Sequence, residues 1–182
     1  MKATGIVRRI DDLGRVVIPK EIRRTMRIRE GDPLEIFTDR EGEVIFKKYS
    51  PIGELAAFAS QYAETLHKTC GMAVVICDRD AVIACAGIPK KEYTDRKLSA
   101  ALENVMEGRT LYNADGKDDL PVVEGGGCLV SCAMPILTEG DVTGCVASVF
   151  SRENNIEQMM NSELESKLIQ TAAGFLGRQL ES

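Results

Sequence analysis

Two periods of apolar and polar residues alternate along the chain, and the places where one gives way to the other mark its elements. Thr4 to Ile10 changes side at each step, with Ile6, Arg8 and Ile10 set against Gly5, Val7 and Arg9, which predicts a strand. Asp11-Asp12-Leu13-Gly14 is a turn signal, and Arg15-Val16-Val17-Ile18 predicts a second short strand. Pro19 fixes its own φ and lacks a donor N–H, so it suits the first turn of a helix from Lys20 to Arg27. Ile22 and Met26, four apart, form the inward face of that helix, while Arg23 and Arg27 share another with Arg24 beside them. Glu30-Gly31-Asp32-Pro33 breaks the chain. Leu34 to Asp39 and Glu43 to Tyr49 then predict two strands around Arg40-Glu41-Gly42, a hairpin. Residues 1–50 therefore read β-β-α-β-β.

At Ser50-Pro51-Ile52-Gly53 composition and charge change together, which predicts a linker at 51–55 between a domain of residues 1–50 and one of residues 56–182. A helix follows from about Glu54 to Thr69, its stripe formed by Leu55, Phe58, Ala59, Tyr62, Ala63 and Leu66. Met72 to Cys77 and Ala81 to Ala86 are β-rich runs around Asp78-Arg79-Asp80. Leu98 to Met106 reads as a helix, Asn113 to Asp119 as a polar loop and Gly125-Gly126-Gly127 as a mobile one. Cys128 to Leu137 and Val142 to Phe150 are strands about Glu139-Gly140-Asp141, and Ile156 to Leu180 is a long amphipathic closing helix. This order predicts an α+β second domain with flanking helices.

Charge sharpens the division. The whole chain carries −5, but residues 1–29 hold nine Lys and Arg against Asp11, Asp12 and Glu21, a net of +6 that leaves −11 for the rest. A basic end on an acidic body is the footprint of a polyanion-binding part joined to a part that does not bind. The first fifty residues bury too little surface to be comfortably stable alone, so an intertwined dimer is expected there. The two terminal helices of the second domain either pair with those of another copy or cover their own sheet.

The informative stretch is Arg8-Arg9-Ile10-Asp11-Asp12-Leu13-Gly14-Arg15-Val16-Val17-Ile18-Pro19-Lys20-Glu21-Ile22-Arg23-Arg24. Arginine's planar fork matches phosphate oxygens and guanine edges and stays charged at any working pH. From Asp11 to Arg23 this stretch resembles the AbrB-type swapped-hairpin domain of bacterial transition-state regulators. The whole chain resembles the stage V sporulation protein T family, which joins that domain to a C-terminal GAF-type domain; Ile76-Cys77-Asp78-Arg79-Asp80 and Thr171-Ala172-Ala173-Gly174-Phe175-Leu176 carry the second half of the likeness. The resemblance implies two chains exchanging hairpins into one small β-barrel whose Arg8, Arg15, Arg23 and Arg24 contact double-stranded DNA, with Arg9, Lys20 and Lys2 as helpers. It further implies a tetramer built through the C-terminal helices and a regulator of sporulation genes. An effector in the GAF-like domain, a small molecule, is implied in class but not in identity.

Other chemistry is thin. There is one histidine, His67, no Cys-x-x-Cys pair, no Gly-x-Ser-x-Gly and no His-Glu-x-x-His, so neither a structural zinc site nor an enzyme is expected. Gly125 to Gly127 lacks the Gly-Lys-Ser/Thr of a phosphate loop. Cys128 and Cys132, four apart on a β-rich run, are expected to face the same side of a strand, packed in the core or acting as a redox pair. No apolar run is long enough to span a bilayer, and no signal peptide is visible, so a cytoplasmic protein is expected. Asp11 and Asp12 read as turn formers. The alternative to a DNA-binding regulator is an antitoxin-like interaction module.

Overall fold

The computed structural model describes residues 4–114, 119–151 and 161–181. They form two compact units, residues 1–49 and 50–182.

The first unit is a helix and a hairpin. Helix α1 (Lys20–Met26) starts at Pro19 and stops at Arg27, which adopts φ 52°. Arg27 N–H donates to Arg24 O at 3.3 Å and Ile28 N–H to Arg23 O at 2.8 Å, a Schellman closure achieved without glycine. Strands β1 (Leu34–Thr38) and β2 (Val44–Lys48) pair antiparallel with Ile36 opposite Phe46. Lys48 ties hairpin to helix: its Nζ donates to Arg27 O at 2.9 Å and lies 3.7 Å from Asp32, whose side chain is only 4% exposed. The strands expected at Thr4–Ile10 and Arg15–Ile18 do not form within one chain. Both segments lie outside any ladder of this chain, which pairs only β1 with β2 in this unit. Among the described residues of this unit only Pro19 is buried, while Ile6, Val7, Ile10, Leu13, Val16, Val17, Ile36, Phe37, Val44 and Phe46 are all exposed.

The second unit starts without a linker. Ser50 caps a short helix α2 (Pro51–Glu54), its Oγ accepting from Gly53 N, and Ile52 is completely buried. The stretch expected to be a linker at 51–55 is therefore structured, since Pro51 at the first helical position and the Ser50 cap favour a turn over an extended spacer. Helix α3 (Ala56–Cys70), strands β3 (Ala73–Asp78) and β4 (Val82–Ala86), helices α4 (Lys90–Tyr93) and α5 (Ala100–Glu107), and strand β5 (Tyr112–Asn113) follow. Strands β6 (Leu129–Thr138) and β7 (Asp141–Phe150) and helix α6 (Ser162–Leu180) close the unit. Residues 152–160, which include the expected start of the last helix at Ile156, lie outside the described residues.

One antiparallel sheet, ordered β4-β3-β7-β6-β5, runs through the middle and is covered on both faces. Val74, Ile76, Val146 and Ile136 point to Ala59, Ala63, Ile169, Ala172 and Leu176 of α3 and α6. Val75, Cys77, Val149 and Ala147 point to Leu98, Leu102, Met106, Val122 and Val123 on the other side. The double covering explains why β3 reads as an unbroken apolar run instead of an alternating one. A register shift between Val130 and Cys132 changes the parity of β6. It sends Val130 to one core and Cys132 to the other. Cys128 and Cys132 thus lie in different cores, contrary to the expectation that they share a side.

Candidate nucleic-acid interface

Arg8 and Arg9 end the extended segment before a tight loop, Arg15 leaves that loop, and Lys20, Arg23 and Arg24 lie on or at the start of α1. All six are exposed. Lys2 lies outside the described residues. Among the described residues no carboxylate pairs with Arg8, Arg9, Lys20, Arg23 or Arg24. Arg27 and Arg29, by contrast, are half-buried at the helix end. There Arg29 N–H donates to Asp32 at 2.8 Å, so this pair belongs to the helix–hairpin joint.

Of the six described candidate cations, Arg15 pairs with a carboxylate, that of Asp11. Asp11 N–H donates to Arg15 O at 3.0 Å and Gly14 N–H to Asp11 O at 3.0 Å, with Gly14 at φ 76°. The left-handed glycine lets the chain reverse in three residues. Asp11 Oδ1 accepts from Leu13 N at 3.0 Å and Arg15 N at 2.7 Å, while Oδ2 accepts from Arg15 Nε at 2.7 Å. The Arg15 backbone N–H, then its guanidinium, hold the Asp11 carboxyl below the usual carboxylate range. Two oxygens on one residue thereby fix both the loop and the arginine. Sequence reasoning found the turn but missed the second function; the signal for it was an Asp four residues before an Arg across a glycine turn.

The same backbone device recurs at Asp39. Its N–H donates to Glu43 O at 3.2 Å, and its Oδ1 accepts from Glu41 N at 3.0 Å and Glu43 N at 2.8 Å around Gly42 at φ 85°. The residue after that glycine is Glu43, which has no side-chain donor to offer a second oxygen.

The cysteines differ in exposure. Cys77, Cys85, Cys128, Cys132 and Cys145 are buried free thiols, and Cys70 is half-buried. Burial pushes the Cys132 thiol up to about 11 and raises those of Cys85 and Cys128. The Cys145 side chain and burial together hold the Cys77 thiol far above its ordinary value. Raised thiols are poor nucleophiles. His67 Nδ1 meets Met72 O at 2.9 Å, which ties the end of α3 to the start of β3. Within Gly125-Gly126-Gly127, Gly126 lies against Val123 and Tyr93 and leaves no space for a side chain, while Gly125 and Gly127 are exposed. Tyr93 Oη accepts from Cys128 N at 2.9 Å beside it.

Residues 54–181 match the family described as stage V sporulation protein T C-terminal, transcription factor, and residues 7–53 match antidote-toxin recognition MazE, bacterial antitoxin. The first match covers well over half of the chain. The chain belongs to the stage V sporulation protein T family. Stage V sporulation protein T of Bacillus subtilis (strain 168) is 52% identical over 100% of this chain and 99% of its own length. The transition state regulatory protein AbrB of the same organism is 63% identical over 51 residues, 28% of this chain and 52% of its own. The GAF domain region of a Geobacter sulfurreducens membrane protein superposes with a TM-score of 0.50 at 18% identity, covering 72% of this chain and 95% of its own. At that identity the likeness speaks for the fold alone, and it gives this chain's second unit a GAF-like α+β architecture. Among the described residues no helix is long and apolar enough to cross a membrane.

Proposed function

We propose that the chain is a sequence-dependent DNA-binding transcription regulator of sporulation genes. In this reading two copies interlock their first units, and Arg8, Arg9, Arg15, Lys20, Arg23 and Arg24, with Lys2, contact double-stranded DNA. The observation that carries it is the set of exposed cations, of which Arg8, Arg9, Lys20, Arg23 and Arg24 have no carboxylate partner among the described residues, on a unit that leaves its own apolar residues uncovered. A second copy would pair the extended segments 4–10 and 15–18 and bury Ile6, Val16 and Phe46, turning a loose half into a barrel. The outer faces of α3 and α6, where Tyr62 and Phe175 stack at 5.5 Å and Leu164 is exposed, would build the tetramer. The second unit senses an unidentified small molecule, drives assembly, or both.

The test is fluorescence anisotropy of the full chain on duplex DNA over a salt series. If each chain neutralises roughly three to five phosphates, log affinity should fall by about 0.9 per phosphate per log unit of salt. An intact protein whose affinity ignores both salt and Arg15→Ala would end the reading. Light-scattering mass separates dimer from tetramer, and a thermal shift against a metabolite library tests for an effector.

A second reading, an antitoxin-like interaction module, has the match of residues 7–53 in its favour. Against it stands the packed second unit, which leaves residues 50–182 little room to serve as an extended toxin-binding tail. Co-purification of a small protein at one-to-one stoichiometry, with no salt-dependent DNA binding, would favour it.

A further inference from the structure

We infer that Asp11 is a positioning residue for DNA readout, holding the Arg15 guanidinium by its Nε so that the two Nη groups face outward as a fixed fork. This inference rests on the DNA-binding reading above.

The two Asp-x-x-Gly loops separate what Asp11 does for the backbone from what it does for the arginine. At Asp11 and at Asp39 alike, one oxygen, Oδ1, accepts the two backbone N–H groups that close the loop. The Asp39 loop closes with Glu43 in the place of Arg15, so an arginine contact is not needed to form it. At Asp11 the other oxygen, Oδ2, takes Arg15 Nε at 2.7 Å and has no part in the loop's backbone bonding.

A carboxylate on a DNA-binding surface repels phosphate, and near Arg15 it also offsets a useful positive charge. Its presence is unfavourable for affinity alone and makes sense for orientation. Arginine has five N–H donors. With Nε held, the Nη1/Nη2 edge remains for a bidentate contact to a phosphate or to guanine O6 and N7. The Arg15 side chain is 69% exposed, so that edge is open to a duplex. Left free, such a long side chain would sample many rotamers and lose that entropy on each encounter. Asp11 thus trades general attraction for discrimination.

The experiment measures the full chain's affinity for a duplex it has selected from a random-sequence library, and for unselected random duplex of the same length, at one salt concentration. Asp11→Asn retains an Oδ1-like acceptor for the loop and removes the charged acceptor for Nε. It should lower the ratio of selected to unselected affinity by about fivefold or more, the lower end of one well-oriented bidentate contact. Affinity for unselected duplex should hold or rise, because each chain loses one negative charge. Asp39→Asn, which removes the same charge, should leave the ratio unchanged. In an Arg15→Ala background Asp11→Asn should have no further effect on the ratio, as expected of two groups acting as one. If Asp11→Asn proves unfolded by circular dichroism, Arg15→Lys decides, since it keeps the charge and lacks the fork; full discrimination there would overturn the inference. So would an Asp11→Asn ratio within about twofold of the parent's, or a loss equal on both duplexes, which would mark a role in the loop alone. Absence of DNA binding by the parent chain would instead remove the reading beneath it.

Discussion

Two glycines three residues apart in α6 should respond to the same substitution with opposite signs. Gly174 lies on the outer side of the helix, and a Cβ there would meet nothing within 4 Å. Gly177 is buried against β6, where a Cβ would run into the carbonyl oxygen of Leu137 and sit 3.8 Å from Ile136 Cγ2. Replacing Gly by Ala inside a helix is worth about 1 kcal/mol through backbone entropy alone. Gly174→Ala should therefore stabilise by up to that amount. At Gly177 the same gain is opposed by overpacking, which costs about 1–3 kcal/mol and tends to the upper end where a strand backbone is the obstacle, because it cannot rotate away. The expected net loss is about 1–2 kcal/mol, so the two variants should differ by about 2–3 kcal/mol. Urea unfolding of the full chain followed at 222 nm reads this directly. With a slope of about 1–3 kcal/mol per molar urea, the midpoints should separate by about 0.7–3 M at unchanged slope. A Gly177→Ala midpoint at or above the parent's would mean that helix and strand do not approach this closely.

Three further outcomes are expected. Ile52→Ala should destabilise the second unit by about 2–5 kcal/mol, as for other fully buried isoleucines, whereas a residue in a true spacer would move the midpoint by a few tenths. Under native conditions near neutral pH a thiol reagent should modify Cys70 first and leave Cys77, Cys85, Cys128, Cys132 and Cys145 until the chain unfolds; rapid modification of two or more thiols would contradict the packing. Tyr93, pushed up to about 12 by burial, should ionise well above the ordinary tyrosine range in an alkaline absorbance titration, and a Tyr93→Phe variant should lose that late step. Because its folded value lies above the ordinary one near 10, its contribution to stability is complete below that pH and fades as pH rises from there towards 12.

Much of this architecture was legible because local signals and packing agree. The Pro19 start of α1, the Asp-x-x-Gly turns and the hairpin around Gly42 are each dictated by backbone chemistry that a few residues carry by themselves. The arginine run stood out for the same reason, since charge needs no tertiary context to be seen. What failed were features that depend on partners far away in sequence or in another chain. Segments 4–10 and 15–18 alternate like strands yet lie outside any ladder of the single chain. Ile52 looked like part of a spacer because neighbouring Ser, Pro and Gly outvoted it; only the assembled core shows it to be completely buried. The crowding of Gly126 by Val123 and Tyr93 likewise carries no local signal beyond the glycine itself. The clamp of Asp11 on Arg15 was hidden by the ordinary use of Asp in turns.

The parity change in β6 has a consequence for how reliably this sheet assembles. Both of its faces are oily, so sliding one strand by a single residue would exchange one greasy surface for another at small hydrophobic cost. Hydropathy therefore cannot enforce the native alignment. That task falls to volume matching, with Gly144 opposite Ile136 and Ala147 opposite Ala133, and to the register shift between Val130 and Cys132. A chain shortened by the one residue between those two would keep its composition nearly intact and still lose the means of telling its two interiors apart.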